Sequence, residues 1–122
     1  MWGEKPGVEV RPAPGNVIVL ALTGDHDLAT KPMLLAELAE IPLDASVIID
    51  LTRCTFLDSS VIGAILGARV PDRPRVSLVL PPDTSYVTRA LSVVGMRDLL
   101  PVHASVTAAL ASLGPGWDDR ET

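Results

Sequence analysis

Aromatic side chains are scarce: Phe56 and Tyr86 are the sole Phe and Tyr, Trp occurs twice, and together they make up 3% of 122 residues. Single-stranded nucleic acid is usually held by stacking bases on exposed rings, so this scarcity argues against such a partner. Basic charge is short as well. Ten Lys and Arg against fifteen Asp and Glu leave a formal charge of −5, and no stretch clusters basic residues as backbone phosphates would require. No nucleic-acid partner is expected. Cys54 is the only cysteine, so no internal disulfide can form, in keeping with a reducing compartment. Flanked by Leu51, Phe56 and Leu57, it reads as a small buried hydrophobe. Long apolar runs are missing too: none approaches the roughly 20 residues that span a bilayer. Met1 to Val10 carries Glu4, Pro6 and Glu9 where a secretory signal needs an apolar core. A cytoplasmic protein without membrane insertion is expected.

What is present is enough apolar material for one core. Hydrophobic residues form 48% of the chain and charged residues 20%, which suits a single compact domain of this length. Met1 to Gly7 and Gly114 to Thr122 are rich in Gly, Pro and charge and read as flexible ends, leaving 8–113 as the domain. Val17 to Leu22, Ser46 to Leu51 and Val76 to Leu80 are near-continuous β-branched runs, the pattern of strands covered on both faces. Leu99 to His103 is a weaker candidate. Val8 to Val10, before Gly15-Asn16, suits an edge strand in a hairpin. Between them, Met33, Leu34, Leu38 and Ile41 recur at helical spacing, as do Val87, Ala90, Leu91 and Val94, and then Val106, Ala109, Leu110 and Leu113. Pro32 is tolerated only in a first turn, which places the start of the first of these helices near Thr30. Gly95 is expected to end the second at positive φ, and Pro71 to Pro74 to form a turn. The order β-β-α-β-α-β-α-β-α predicts an α/β fold: a mostly parallel five-stranded sheet with one antiparallel edge strand and about four helices.

The most informative stretch runs from Asp50 to Leu66. A buried strand is expected to end, a short loop to follow, and a helix to begin at Asp58-Ser59-Ser60. Asp58 suits an N-cap, which leaves Ser59 and Ser60 in a first turn whose backbone N–H groups lack partners. A phosphate on Ser59 would meet a dipole that favours anions. Asp-Ser-Ser before an apolar helix is also an ordinary capping sequence, and on local grounds capping is the commoner use. After Ser60 the helix reads Val61, Ile62, Ala64, Ile65, Leu66 and Ala68, apolar on nearly every side. Its outward face is therefore a candidate docking surface, the alternative being that loops bury it. Gly63 and Gly67 share one side of the helix and are expected to let it pack closely on the sheet.

These residues carry a resemblance. Asp50-Leu51-Thr52, three residues, then Phe56-Leu57-Asp58-Ser59-Ser60 is similar to the signature of the STAS family, the sulfate transporter and anti-sigma factor antagonist domain. Gly24-Asp25-His26-Asp27-Leu28-Ala29-Thr30 resembles that family's Gly-Glu-Leu-Asp-x-x-Thr turn, and the element order matches from about Val8 to Leu113. The resemblance implies a non-enzymatic antagonist whose Ser59, with Ser60 as second choice, is phosphorylated by an anti-sigma factor, a serine kinase. The unphosphorylated antagonist would bind that kinase, free a sigma factor and so regulate transcription. Candidate partner-binding residues are Asp25, Asp27, Thr30, Asp58, Ser59, Ser60, Ile62, Gly63 and Leu66; Asp27 alternatively caps the helix near Thr30. Two positions depart from the family. Val61 stands where Gly is usual and is expected to crowd the approach to Ser59. His26 stands where Leu is usual and is expected to be a partly exposed structural histidine.

Other chemistry finds little support. His26, His103 and Cys54 have no metal-ligand spacing. A Ser59, His26, Asp27 hydrolase would lack the Gly-x-Ser-x-Gly elbow and an evident oxyanion site. No cofactor, metal or catalytic residue is expected. A constitutive STAS subunit of a lipid-transport ATPase complex or signalling assembly is the alternative, and a small-molecule binding module a third. Self-association as a weak homodimer stays open.

Overall fold

A computed structural model describes residues 5–69, 73 and 75–113. Five strands form one sheet in chain order: β1 (Gly7–Ala13), β2 (Val17–His26), β3 (Ser46–Leu57), β4 (Val76–Val79) and β5 (Val102–His103). β1 pairs antiparallel with β2, and every later neighbour is parallel. The expected hairpin is present, and Gly15 (φ 78) and Asn16 (φ 61) both take the left-handed conformation that a tight turn between twisted strands requires. Gly7, expected in a flexible end, already belongs to β1. The remaining terminal residues (1–4 and 114–122) and most of the expected turn at Pro71 to Pro74 lie outside the described residues.

Helices α1 (Lys31–Glu40), α2 (Ser59–Gly67), α3 (Tyr86–Val93) and α4 (Val106–Ala111) follow β2, β3, β4 and β5 in turn. Thr30 is the N-cap residue of α1, with Pro32 in the first turn. Gly95, at φ 73, follows α3. Strand alternation divides the apolar residues between two faces. Leu20, Leu22, Val47, Ile49 and Leu78 join Leu34 of α1, Val61 and Ile65 of α2, and Val87 and Leu91 of α3 in the larger core. Val17, Val19, Ile48 and Val79 point the other way, onto Ala109 of α4. Each fully buried aliphatic side chain contributes about 1.5–3 kcal/mol, so the three-helix face supplies most of the stability.

Two boundaries differ from those expected, and both matter for the site. β2 and β3 do not end at Leu22 and Leu51 but stay paired as far as His26 and Leu57, with register shifts between Ala21 and Thr23 and between Gly24 and Asp25. Thr52 to Leu57 is held as strand by its neighbour rather than by its own pattern. β5 is shorter than expected because Met96–Asp98 forms a 3₁₀ turn in front of it. No helix among the described residues is long and apolar enough to cross a membrane.

Candidate functional site

The extended β2 and β3 run side by side to the carboxyl edge of the sheet, where Asp25 pairs with Phe56 and His26 with Leu57. Beyond that edge the β2–α1 turn and the start of α2 meet. Asp58 joins them. Its Oδ1 accepts from Ser60 N (3.1 Å), Val61 N (3.2 Å) and Ser60 Oγ (2.7 Å), while Oδ2 accepts from Leu28 N (3.0 Å) across 30 residues of sequence. The Ser60 hydroxyl chiefly holds the Asp58 carboxyl below its ordinary value, partial burial opposing and the three backbone donors adding to the effect. Asp58 is thus both the expected N-cap and a tie between two elements.

Ser59 and Ser60, adjacent in sequence, stand in different surroundings. Ser60 is half-buried and spends its hydroxyl on Asp58, whereas Ser59 is exposed. That separates the two candidate hydroxyls. Val61 was expected to crowd Ser59, but its side chain is wholly buried in the core and turned away from the surface.

The β2–α1 turn is braced from within. Asp27 Oδ1 accepts from Ala29 N (3.0 Å) and Thr30 N (3.2 Å), and Asp27 N donates to Thr30 Oγ1 (2.9 Å). Asp27 thus closes the turn that leads into α1, while Thr30, at the helix's own N-cap position, makes no side-chain cap hydrogen bond and turns its hydroxyl back onto the same turn. His26 is not partly exposed as expected; it is 0% exposed. Its Nε2 faces the carbonyls of Thr23 (3.0 Å) and Gly7 (3.2 Å), and its Nδ1 faces Thr30 Oγ1 (3.2 Å). Facing two carbonyl oxygens, Nε2 carries a proton and donates to them. The imidazole clamps β1, β2 and the turn together, and both its nitrogens are occupied there rather than by Ser59. The Asp25 carboxylate accepts from the Thr55 hydroxyl on the neighbouring strand.

On α2 the expected surface is rearranged. Ile62 is 7% exposed and packs in the core, and Leu66, half-buried, leans on the same cluster. Neither presents a free apolar face. Gly63 and Gly67, expected against the sheet, point outward instead, with nothing within 4 Å of an added Cβ. They line a groove of about 470 Å³ with Leu35, Leu38 and Leu43. The reason is rotational: an apolar sequence all round a helix does not specify which side meets the sheet.

Sequence reasoning did not single out the exposed side chains of Leu28 and Tyr86. Leu28 is 68% exposed, and Tyr86, at the start of α3, is 56% exposed with its ring stacked on Phe56 at 5.4 Å and 13°. Their signal was faint, since an isolated exposed Leu or Tyr in a sequence has no pattern. Cys54 is buried as expected, donates to the Phe56 carbonyl, and has its thiol pushed up to about 11 by burial. Among the described residues no three His, Cys, Asp or Glu side chains converge as a metal site would need.

A family model described as "Mlab, STAS domain" matches residues 10–101. The chain belongs to the STAS domain family. No curated protein matches this STAS domain in sequence. Solved structures share its fold at low identity. An anti-sigma factor antagonist from Mycobacterium paratuberculosis is 20% identical with a TM-score of 0.76, the match covering 88% of this chain and 93% of that one. The antagonist SpoIIAA in its unphosphorylated form gives 19% and 0.66 over 88% and 96% of the two chains. SpoIIAA in its phosphorylated form, described as a Bacillus cell fate determinant, gives 18% and 0.62 over 88% and 100%.

Proposed function

We propose that this STAS domain is an anti-sigma factor antagonist, a binding protein whose unphosphorylated form docks on a serine-kinase anti-sigma factor and is released when Ser59 is phosphorylated. The observation that carries the reading is the exposed Ser59 on the first turn of α2, beside an Asp58 cap that also fixes the β2–α1 turn. The antagonists that share the fold, one solved in both phosphorylation forms, support it. In the reaction, Ser59 Oγ attacks the γ-phosphorus of ATP, the bond to the bridging oxygen breaks, ADP leaves, and the hydroxyl proton passes to a base on the kinase. The product gains about 1.5 to 2 negative charges. The helix terminus tolerates them, so the fold persists, while a docked surface that must desolvate them loses affinity.

Docking is assigned to Asp25, Asp27, Asp58, Ser59 and Ser60, around the carboxyl edge of β2 and β3, and to Gly63 further along α2. The test is purified protein, cognate kinase and ATP. Phosphate found on Ser59 by mass spectrometry, with wild-type binding kept in Ser59→Ala and lost in Ser59→Asp, is the expected result. Equal binding by both variants would instead mark a constitutive subunit.

A further inference from the structure

β1 is an edge strand. Antiparallel β2 fills one side of it, and among the described residues no strand pairs with the other side. Pro12 settles which groups that side presents. It has no N–H to give β2, and proline inside a strand is confined to positions whose N–H would face away from the neighbour. Antiparallel ladders alternate, so Val8 and Val10 also turn their N–H and C=O groups outward, while Glu9 and Arg11 bond β2. The outer edge thus carries backbone donors and acceptors that no described strand meets, and Val10 on it is 40% exposed. Charged side chains ordinarily guard such an edge against a second strand. On β1 their signs do the opposite.

Glu9 and Arg11 share one face of β1, the face on which α4 packs, since Arg11 is registered with Val19 of the smaller core. Their side chains meet at 2.7 Å. Opposite charges two residues apart make the strand its own complement. Laid antiparallel against a second copy with Val10 on the two-fold axis, Glu9 stands opposite Arg11 of that copy and Arg11 opposite its Glu9, so both cross-strand pairs attract. Val10 stands opposite Val10, and their outward N–H and C=O groups exchange hydrogen bonds as a close pair. Slipping the register to centre on residue 9 or 11 sets Glu9 against Glu9 or Arg11 against Arg11. The other side chains whose charge this pair feels, Arg53 at Glu9 and Asp50 at Arg11, are one of each sign and do not tip the balance. We infer that β1 is a homodimerisation edge, through which two copies join their sheets antiparallel about Val10. It carries none of the residues assigned to docking around Ser59, so the dimer stands or falls apart from the phosphorylation switch.

One strand per copy makes a small contact, and interfaces below about 1,200 Å² are weak and transient. The test is therefore sedimentation of the full chain over a concentration series, with wild type expected to be monomeric when dilute and increasingly dimeric toward about 1 mM. Glu9→Arg and Arg11→Glu, both at exposed positions, should each weaken self-association about ten-fold or more. An equimolar mixture of the two restores both attractive pairs and should associate at least as strongly as wild type. The double variant Glu9→Arg/Arg11→Glu should dimerise like wild type. Loss of the pair within one chain cannot account for rescue by mixing, because each variant still lacks it. Amide exchange followed by NMR should slow at Val8 and Val10, but not at Glu9 or Arg11, as concentration rises. Wild type that stays monomeric, single variants that associate as it does, or a mixture no stronger than its components would overturn the proposal. So would dimerisation that leaves Val8 and Val10 unprotected, since that places the interface elsewhere.

Discussion

Two helix starts in this molecule use the same chemistry to different ends. At α3, Ser85 accepts one hydrogen bond from Thr88 N three residues on, and the interaction is closed within a single turn. At α2, Asp58 satisfies two donors of its own helix, one neighbouring hydroxyl and one N–H from the β2–α1 turn. A local cap only begins a helix. A cap that reaches across the fold fixes the position of the residue beside it, and here that residue is Ser59. The site is thus a property of where α2 starts, not of the helix itself.

The comparison can be broken most severely through Ser59. Ser59→Asp is expected to lower affinity for the kinase about 100-fold, equivalent to roughly 2.7 kcal/mol, with an unchanged far-UV spectrum; calorimetric titration measures it. Next is the tie itself. Asp58→Ala should cost about 2 kcal/mol, the upper end for an N-cap, because it orphans the distant Leu28 N–H as well as the helix. Ser85→Ala, at the purely local cap, should cost only about 1 kcal/mol. Denaturant midpoints of the two variants decide whether the difference is real.

Acid sharpens the same contrast. Hydrogen bonds hold the Asp58 carboxyl below its ordinary value, so its contribution to stability is whole above the unfolded carboxylate range near 3.9 and is lost as pH falls through the lower folded value. Asp58→Asn should therefore flatten the acid limb of the stability profile, while Ser85→Ala leaves its shape unaltered. The smallest effect lies further along α2. Gly63→Ala meets open space and should raise stability by up to about 1 kcal/mol, since glycine is the costlier residue inside a helix.

Much of this could be read from residues in order. The β-branched runs marked the buried strands, Gly15-Asn16 the hairpin, Pro32 the start of α1, and Asp58-Ser59-Ser60 the cap of α2. Each is a short-range signal, settled by sterics or hydrogen bonding within a few residues. The extension of β3 through Thr52 to Leu57 had no such signal, because those residues alternate poorly and are strand only through β2. His26 was misjudged for the same reason: a polar residue in a turn is ordinarily exposed, and only the carbonyls of Gly7 and Thr23 make its burial tolerable.

The rotation of α2 belongs with these. Its sequence is apolar on nearly every side, so Ile62 and Gly63 were equally entitled to face outward until the sheet took the larger side chain and left the glycine at the surface. From its sequence alone this protein has its buried strand runs, its helix starts and the serine pair that opens α2, because those depend on neighbours along the chain. The folded structure decided which of the two serines stays free, what surrounds it, and which face of α2 is presented, because those depend on groups some 30 residues apart, such as Leu28 and Asp58, that meet only when the sheet is assembled.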